Sequence, residues 1–572
     1  MVQLDFIVMA VFALLIFAIG LTFTRMSSKT GQAFFEAGGE TPWWINGLSL
    51  FVSYFSAGTF VVWGSIAYKH GLVANAIQLT MAISGLIVTL FIAAKWKKTG
   101  VATAAEYIGK RFGSNEQQFY TYLTLLLSLF TTAAVLYPVG KMVYVATPFT
   151  LNECIIGIGL IIVLYTAAGG LWAVLVTDVV QFVILSAAVL IVIPIAFANI
   201  GGVENLFAKA PDKFFEPFND DYSFGFMLAF IAYQTFYIGG NWSYVQRYTS
   251  VSTPANSKKV SGIFTILYLV SPVIWMIPPM VYRIINPNLQ GLESEGAYMM
   301  LIQKVMPAGL IGLVLAGMIS ATSSKANTTI NMAATVFAQD IYRNLIRPKA
   351  AEKEVILVAR FFTLLFGILT ILVAIWIPSA GGIVEVVLST ASIAGGALFA
   401  PIIWTLFSKR QTGFSVVTAT VASLVINLFF KVISPSLLDF KLNRMYETIL
   451  GVGIPILVLA AFEVYYAMLG RESAKAITMA LTNAKKEKVS FEAHQESLKQ
   501  NRFGVKVIAL SMAVVGIGIT TLGVLAEKYG DVVISVGVVI LLGALIILVV
   551  QWKQRKGLND EKFRIKNEEI VA

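Results

Sequence analysis

Cysteine and histidine are almost missing from this chain: Cys154, His70 and His494 are all that 572 residues contain. One cysteine inside an apolar stretch forms neither a disulfide framework nor a thiolate cluster, and two histidines supply no zinc site. The same poverty leaves an embedded enzyme without an activated nucleophile or metal ligands, so no catalytic residue and no cofactor are expected. Charge is scarce too. Asp, Glu, Lys and Arg make up 13% of the residues against 57% hydrophobic, with a mean hydropathy of +0.79, which excludes an ordinary soluble domain. The net charge of +11 sits in short loops beside apolar stretches. That placement reads as membrane orientation and gives no nucleic-acid partner.

Long apolar sequence is what the chain has in abundance. Fifteen stretches follow one another at 3–24, 43–69, 72–94, 118–145, 152–169, 172–199, 222–245, 260–283, 304–340, 356–377, 381–407, 413–432, 446–469, 504–527 and 530–552. A hydrocarbon core about 30 Å thick needs roughly 20 apolar residues of helix. Only helices or closed barrels satisfy the backbone in that medium, and 172–199 is far too long and continuous for a barrel strand. The prediction is an all-α polytopic protein of the plasma or inner membrane, with about 15 transmembrane helices and the lipid bilayer as its first partner.

Asp5 stands where a signal peptide would carry basic residues, and Arg25 and Lys29 follow the first stretch, so it reads as a retained anchor with the amino terminus outside. Alternating from there puts Lys95, Lys97, Lys98, Lys110 and Arg111 inside, then Arg247, Lys258 and Lys259, then Arg343, Arg347, Lys349 and Lys353, then Lys409 and Arg410. Positive charge therefore stays inside throughout, and an odd number of crossings leaves the carboxyl terminus cytoplasmic. The expected divisions are an anchor helix and inner loop (1–42), a transport core (43–407), two accessory helices (408–470), a Lys-rich cytoplasmic linker (471–503), a membrane hairpin (504–552) and a cytoplasmic tail (553–572).

Polar residues inside hydrocarbon are expensive and therefore functional candidates. The second stretch is interrupted by Ser53, Ser56, Gly58 and Thr59, and the seventh by Gln234, Gly239, Gly240 and Asn241. Broken helices five crossings apart mark an inverted-repeat transporter, because unwound backbone offers carbonyls and helix ends to a solute or ion at midplane. Glycines that serve only close helix packing are the plain alternative. The sixth stretch carries Thr177, Asp178 and Gln181; the ninth crowds Ser320, Thr322, Ser323, Ser324, Asn327, Thr328, Thr329 and Asn331 around Lys325. Hydroxyls in helices often just bond their own carbonyls. An ammonium in mid-helix must pair, meet water or give up its proton.

The segments PWW with FSAGTF in 42–60, GGLWAVLVTDVVQ at 169–181, YVQR at 244–247 and QDIYR at 339–343 resemble those of the sodium/solute symporter family, from the first stretch to about residue 470. The resemblance implies a ten-helix core of two inverted five-helix repeats that works by alternating access, moving a small polar solute with sodium as its coupling ion. Counted back from Asp340, the implied sodium-site carbonyls are Val52, Phe55 and Ala321, and the implied hydroxyl pair falls on Ser324 and Lys325. Thr328 is on the same helix, and Asp178 is similar to the family's aspartate at the inner or second sodium site. A protonated lysine cannot ligate sodium. Lys325 is therefore expected to replace the ion, with Asp178 as its counter-ion, making transport sodium-independent or proton-linked. The other reading rotates the helix so that Ser323 and Ser324 form the pair and Lys325 reaches inner water.

The resemblance implies substrate contacts at Gln78, Thr131, Gln234, Tyr237 and Tyr268, and Thr59 and Asn241 at the two interruptions are further candidates. Tyr237 matches the family's inner-gate tyrosine, whereas Ile238, Tyr268 and Leu388 stand where a sugar carrier's tryptophan, lysine and glutamine would be. The pocket so composed is neutral and moderately polar. Glu385 is either an amine attractant or an outer-gate residue. A transporter-like sensor or a facilitator without ion coupling is the competing class, and accumulation against a gradient separates a coupled carrier from a channel.

Overall fold

The computed structural model describes residues 2–27, 40–101, 103–165, 171–338, 342, 346–347, 349–473 and 491–571. Some side chains within these helices, including Ser324 and Thr328, fall outside the described residues, as do Asp340 and the rest of QDIYR apart from Tyr342. All the regular elements among the described residues are helices, with no strand. Among the described residues ten helices are long and apolar enough to cross a membrane, and the five remaining stretches hold shorter apolar helices.

Helix α1 (Gln3–Ser27) precedes a discontinuous pair, α2 (Trp43–Val52) and α3 (Gly64–His70). Four helices follow: α4 (Val73–Lys98), α5 (Ser114–Ala146), α6 (Leu151–Tyr165) and α7 (Leu171–Ile200). A second discontinuous pair, α8 (Phe224–Gly240) and α9 (Trp242–Thr249), is followed by α10 (Pro254–Ile285), α11 (Leu310–Val336), α12 (Glu352–Trp376) and α13 (Ile383–Thr405). The packing has the symmetry of an inverted repeat. Pair α2/α3 lies on α10, pair α8/α9 lies on α4, and α4 and α10 lie against each other.

Each break has a local cause. After Val52, Ser56 N donates to Thr59 Oγ1 at 3.3 Å and Thr59 N to Ser56 O at 2.9 Å, so these amides no longer reach the carbonyls four residues back. A wide turn over Thr59–Trp63 then leads into α3. At the second break Asn241 is extended (φ −60°, ψ 129°) and its side chain accepts from Ser243 N at 3.0 Å, capping α9. Gly240 precedes it because a Cβ there would lie 2.9 Å from Phe399 Cβ on α13.

Helices α14 (Gly413–Leu437) and α15 (Arg444–Met468) pack beside α13 and α8. Helices α16 (Phe491–Leu525) and α17 (Gly530–Val571) form an antiparallel hairpin. Gly516, Gly523, Gly530 and Gly537 line its seam, where a Cβ on Gly523 would come within 3.0 Å of Gly530 O. Helix α16 begins thirteen residues before the expected apolar stretch at 504. Helix α17 continues to Val571, where a separate tail was expected. Residues 474–490 of the expected linker lie outside the described residues.

Candidate functional site

The unwinding after α2 releases a row of carbonyls. In an unbroken helix Val52 O would accept from Ser56 N and Phe55 O from Thr59 N, but both amides are spent on the turn itself. Between them, Tyr54 O accepts from Thr59 Oγ1 at 2.9 Å and Ser53 O accepts from Lys325 Nζ at 3.1 Å. The ammonium of α11 thus sits on the unwound backbone, at a residue that lies in sequence between Val52 and Phe55, whose carbonyls are expected to face a cation. Ala321, one turn before Lys325 on α11, is buried.

Asp178 does not serve Lys325. Its carboxylate accepts from Ser49 Oγ at 2.5 Å and lies 3.8 Å from Arg247 Nη2. Arg247 also donates to Ser49 Oγ at 3.3 Å and to Ser243 O at 2.7 Å. Ser49 on α2, Asp178 on α7 and Arg247 on α9 are all buried, so the triad fastens three elements together. The correction has a simple reason: Arg247 has the length and the five donors to reach both partners, whereas Lys325 is committed to Ser53 O. The sequence offered Arg247 only as a loop charge. Its place directly after the second break, within the YVQR segment, was the signal that could have found it.

Two other hydroxyls of α11 bond their own helix, while that of Thr322 is buried with no partner among the described residues. Ser323 Oγ donates to Ile319 O at 2.8 Å and Thr329 Oγ1 to Lys325 O at 3.2 Å. Ser320 Oγ accepts from Gln181 Nε2 at 3.1 Å, tying α11 to α7.

The breaks face an aromatic cluster. The Tyr54 ring meets Tyr244 at 5.2 Å, Phe264 at 5.3 Å, Tyr237 at 5.8 Å and Tyr268 at 5.9 Å, and its hydroxyl donates to Gln234 Oε1 at 3.2 Å. Tyr237 also touches Phe399 of α13. Phe55 stacks on Trp275 with ring centres 3.4 Å apart. Gln78 on α4 is fully buried, and neither amide atom has a partner among the described residues. Tyr54, Gln234, Tyr237 and Tyr268 are therefore brought together. Two candidates are not free for a solute: Thr59 closes the turn through Tyr54 O, and Asn241 caps α9, because each polar side chain satisfies backbone that its own break exposes. Thr131 Oγ1 donates to Ser128 O at 3.3 Å within α5.

Two buried acids lie away from the breaks. Glu295 accepts from Tyr137 Oη at 2.6 Å and from Ile383 N at 3.0 Å. Asp5 accepts from Gly309 N at 2.7 Å and Gly312 N at 3.3 Å, an anion at the start of α11 where the helix dipole favours it. Glu385 pairs with Lys431 at 2.9 Å and Arg444 at 3.5 Å.

Residues 34–415 match the model of the sodium:solute symporter family. Sodium/myo-inositol cotransporter 2 of Bos taurus is 29% identical over 65% of this chain and 61% of its own length. The sodium/glucose cotransporter of Vibrio parahaemolyticus is 26% identical over 75% of this chain and 85% of its own. The chain thus spans about three fifths of the length of the mammalian myo-inositol relatives it matches. A Na+-coupled sialic acid symporter, solved substrate-bound and outward-open, superposes with a TM-score of 0.66 at 22% identity, covering 82% of this chain and 99% of that one. It shares the inverted-repeat fold. With a family model matched over two thirds of its length and the discontinuous helix pairs in place, this chain belongs to the sodium:solute symporter family.

Proposed function

We propose that this protein is a secondary carrier that moves a small, neutral, hydroxyl-bearing solute across the cell membrane by alternating access, without sodium. The face with Lys97 and Arg111 is taken as cytoplasmic, in keeping with positive charge inside. The observation that carries the reading is the 3.1 Å contact from Lys325 Nζ to Ser53 O. Relatives named as sodium cotransporters use a dissociable cation; here the charge is covalently attached to α11. The donor set does not suit sodium, since an ammonium offers only hydrogens and repels a second cation beside the Val52 and Phe55 carbonyls. A fixed cation keeps the carrier in the equivalent of an ion-loaded state. It carries gradient energy only if it exchanges its own proton, so flux is either proton-linked or simply downhill.

The solute class follows from the groups around the breaks. Tyr54, Gln234, Tyr237 and Tyr268 carry no charge, and the Gln78 amide asks for one acceptor and one donor. A hydroxyl supplies both, and satisfying a buried amide recovers a desolvation cost of about 1–3 kcal/mol. Aromatic faces suit the apolar side of a ring-shaped polyol. Thermal shift of the purified protein in choline chloride tests this, because a ligand that binds the native state raises Tm by mass action. Neutral polyols such as myo-inositol should raise Tm and Gln78→Leu should abolish the rise. Stabilisation by carboxylates or amines alone would overturn the assignment.

A further inference from the structure

The hairpin of α16 and α17 lies outside the stretch matched by the family model, yet it touches the segment leading into α2, the start of α7 and the start of α11. Asn501 Nδ2 donates to Glu40 O at 2.8 Å, three residues before α2 begins. Gly504 lies so close to Trp172, at the start of α7, that a Cβ there would sit 2.3 Å from the indole ring. Leu522, about five turns beyond Gly504 on α16, packs on Gly309, whose own Cβ would fall 2.6 Å from Leu522 Cδ2. Gly309 is the residue at which α11 starts and whose amide Asp5 binds. The contact side of α16 is buried along its length, at Ile508, Ala509, Val515, Ile519 and Leu522.

We infer that this hairpin is a clamp on the Lys325 site: it holds α2, α7 and α11 in the arrangement that keeps the ammonium on Ser53 O, and it resists movement of α2. Asn501 is its positioning residue. It contacts no solute and acts through the backbone just ahead of α2. Inward opening, in the alternating-access reading on which this rests, requires that half-helix to leave its neighbours, and the Asn501 bond must break or travel with it. Loss of one such bond is worth about a fivefold change in a rate or a population.

The test needs no solute. Ser53→Cys is introduced into a Cys154→Ala background, in inside-out vesicles, and its reaction rate with a membrane-impermeant maleimide is measured. Asn501→Ala should raise that rate about fivefold, Gly504→Leu should raise it further by pushing the hairpin off Trp172, and Asn501→Gln, which keeps a donor, should restore it. Unchanged labelling in both Asn501→Ala and Gly504→Leu, with hydrogen exchange showing α16 loosened, would overturn the clamp. Since labelling reads helix movement alone, a protein that moves no polyol but shows this pattern refutes the solute assignment and leaves the clamp standing.

Discussion

Replacing Lys325 by serine should turn a sodium-indifferent protein into a sodium-binding one. The substitution removes a charged donor from Ser53 O and leaves a short hydroxyl on α11 beside the space the longer side chain vacates. A hydrogen bond to a charged group contributes about 1.5–3 kcal/mol, so Lys325→Ser should be destabilised by that order in choline chloride. The Ser53 carbonyl would then be free for a hard cation, next in sequence to the Val52 carbonyl whose helical amide partner is spent on the turn. Sodium at 100 times its Kd would restore about 2.7 kcal/mol, close to what the lysine supplied. The assay is Tm in choline chloride and in sodium chloride at equal ionic strength, for the unmodified protein, Lys325→Ser and Lys325→Met. Sodium should rescue Lys325→Ser only. If the unmodified protein gains stability from sodium, or if serine behaves like methionine in both salts, the substitution argument fails.

Removing Arg247 should be among the costliest single changes. Arg247→Leu strands a buried Asp178 carboxylate, a loss of about 3–5 kcal/mol, and pairing it with Asp178→Asn should recover much of that in thermal unfolding. Gly451→Ala should cost about 1–3 kcal/mol by overpacking, since its Cβ would lie 2.1 Å from Ser392 O; retained Tm would show that α13 and α15 can part cheaply. His70, at the end of α3, is held below its ordinary value of 6.5 chiefly by burial, with Lys69, Arg444 and Arg283 adding to the effect and Asp221 opposing it. The unfolded chain therefore takes up its proton first, so stability is unaffected above pH 6.5 and declines as pH falls below it. The Tm of His70→Gln should fall less than that of the unmodified protein between about pH 7 and 5.5.

The two breaks were legible because Ser53, Ser56, Gly239, Gly240 and Asn241 interrupt apolar runs at positions five crossings apart, and a helix in hydrocarbon has little other reason to carry them. Lys325 stood out for the same reason. What the sequence hid was pairing. Asp178 and Lys325 are opposite charges within apolar stretches, yet side-chain reach and the direction of α9 give Asp178 to Arg247. Thr59 and Asn241 looked like solute contacts because polarity alone does not say whether a group faces a ligand or the backbone it has just exposed. Asp5 was legible as a charge at the wrong end of a signal peptide, but its use at the start of α11 depends on a contact across some three hundred residues of chain. The clamp by α16 was hidden for a similar reason: nothing in Asn501 or Gly504 names Glu40 or Trp172.

Initial uptake of a stabilising polyol into proteoliposomes, driven in parallel by an inward sodium gradient and by an equal potassium gradient, tests the built-in cation most directly. Equal rates in the two salts are the outcome that a lysine on Ser53 O requires. Uptake that starts only when sodium is present outside would mean that the ion still binds and that Lys325 stands clear of it.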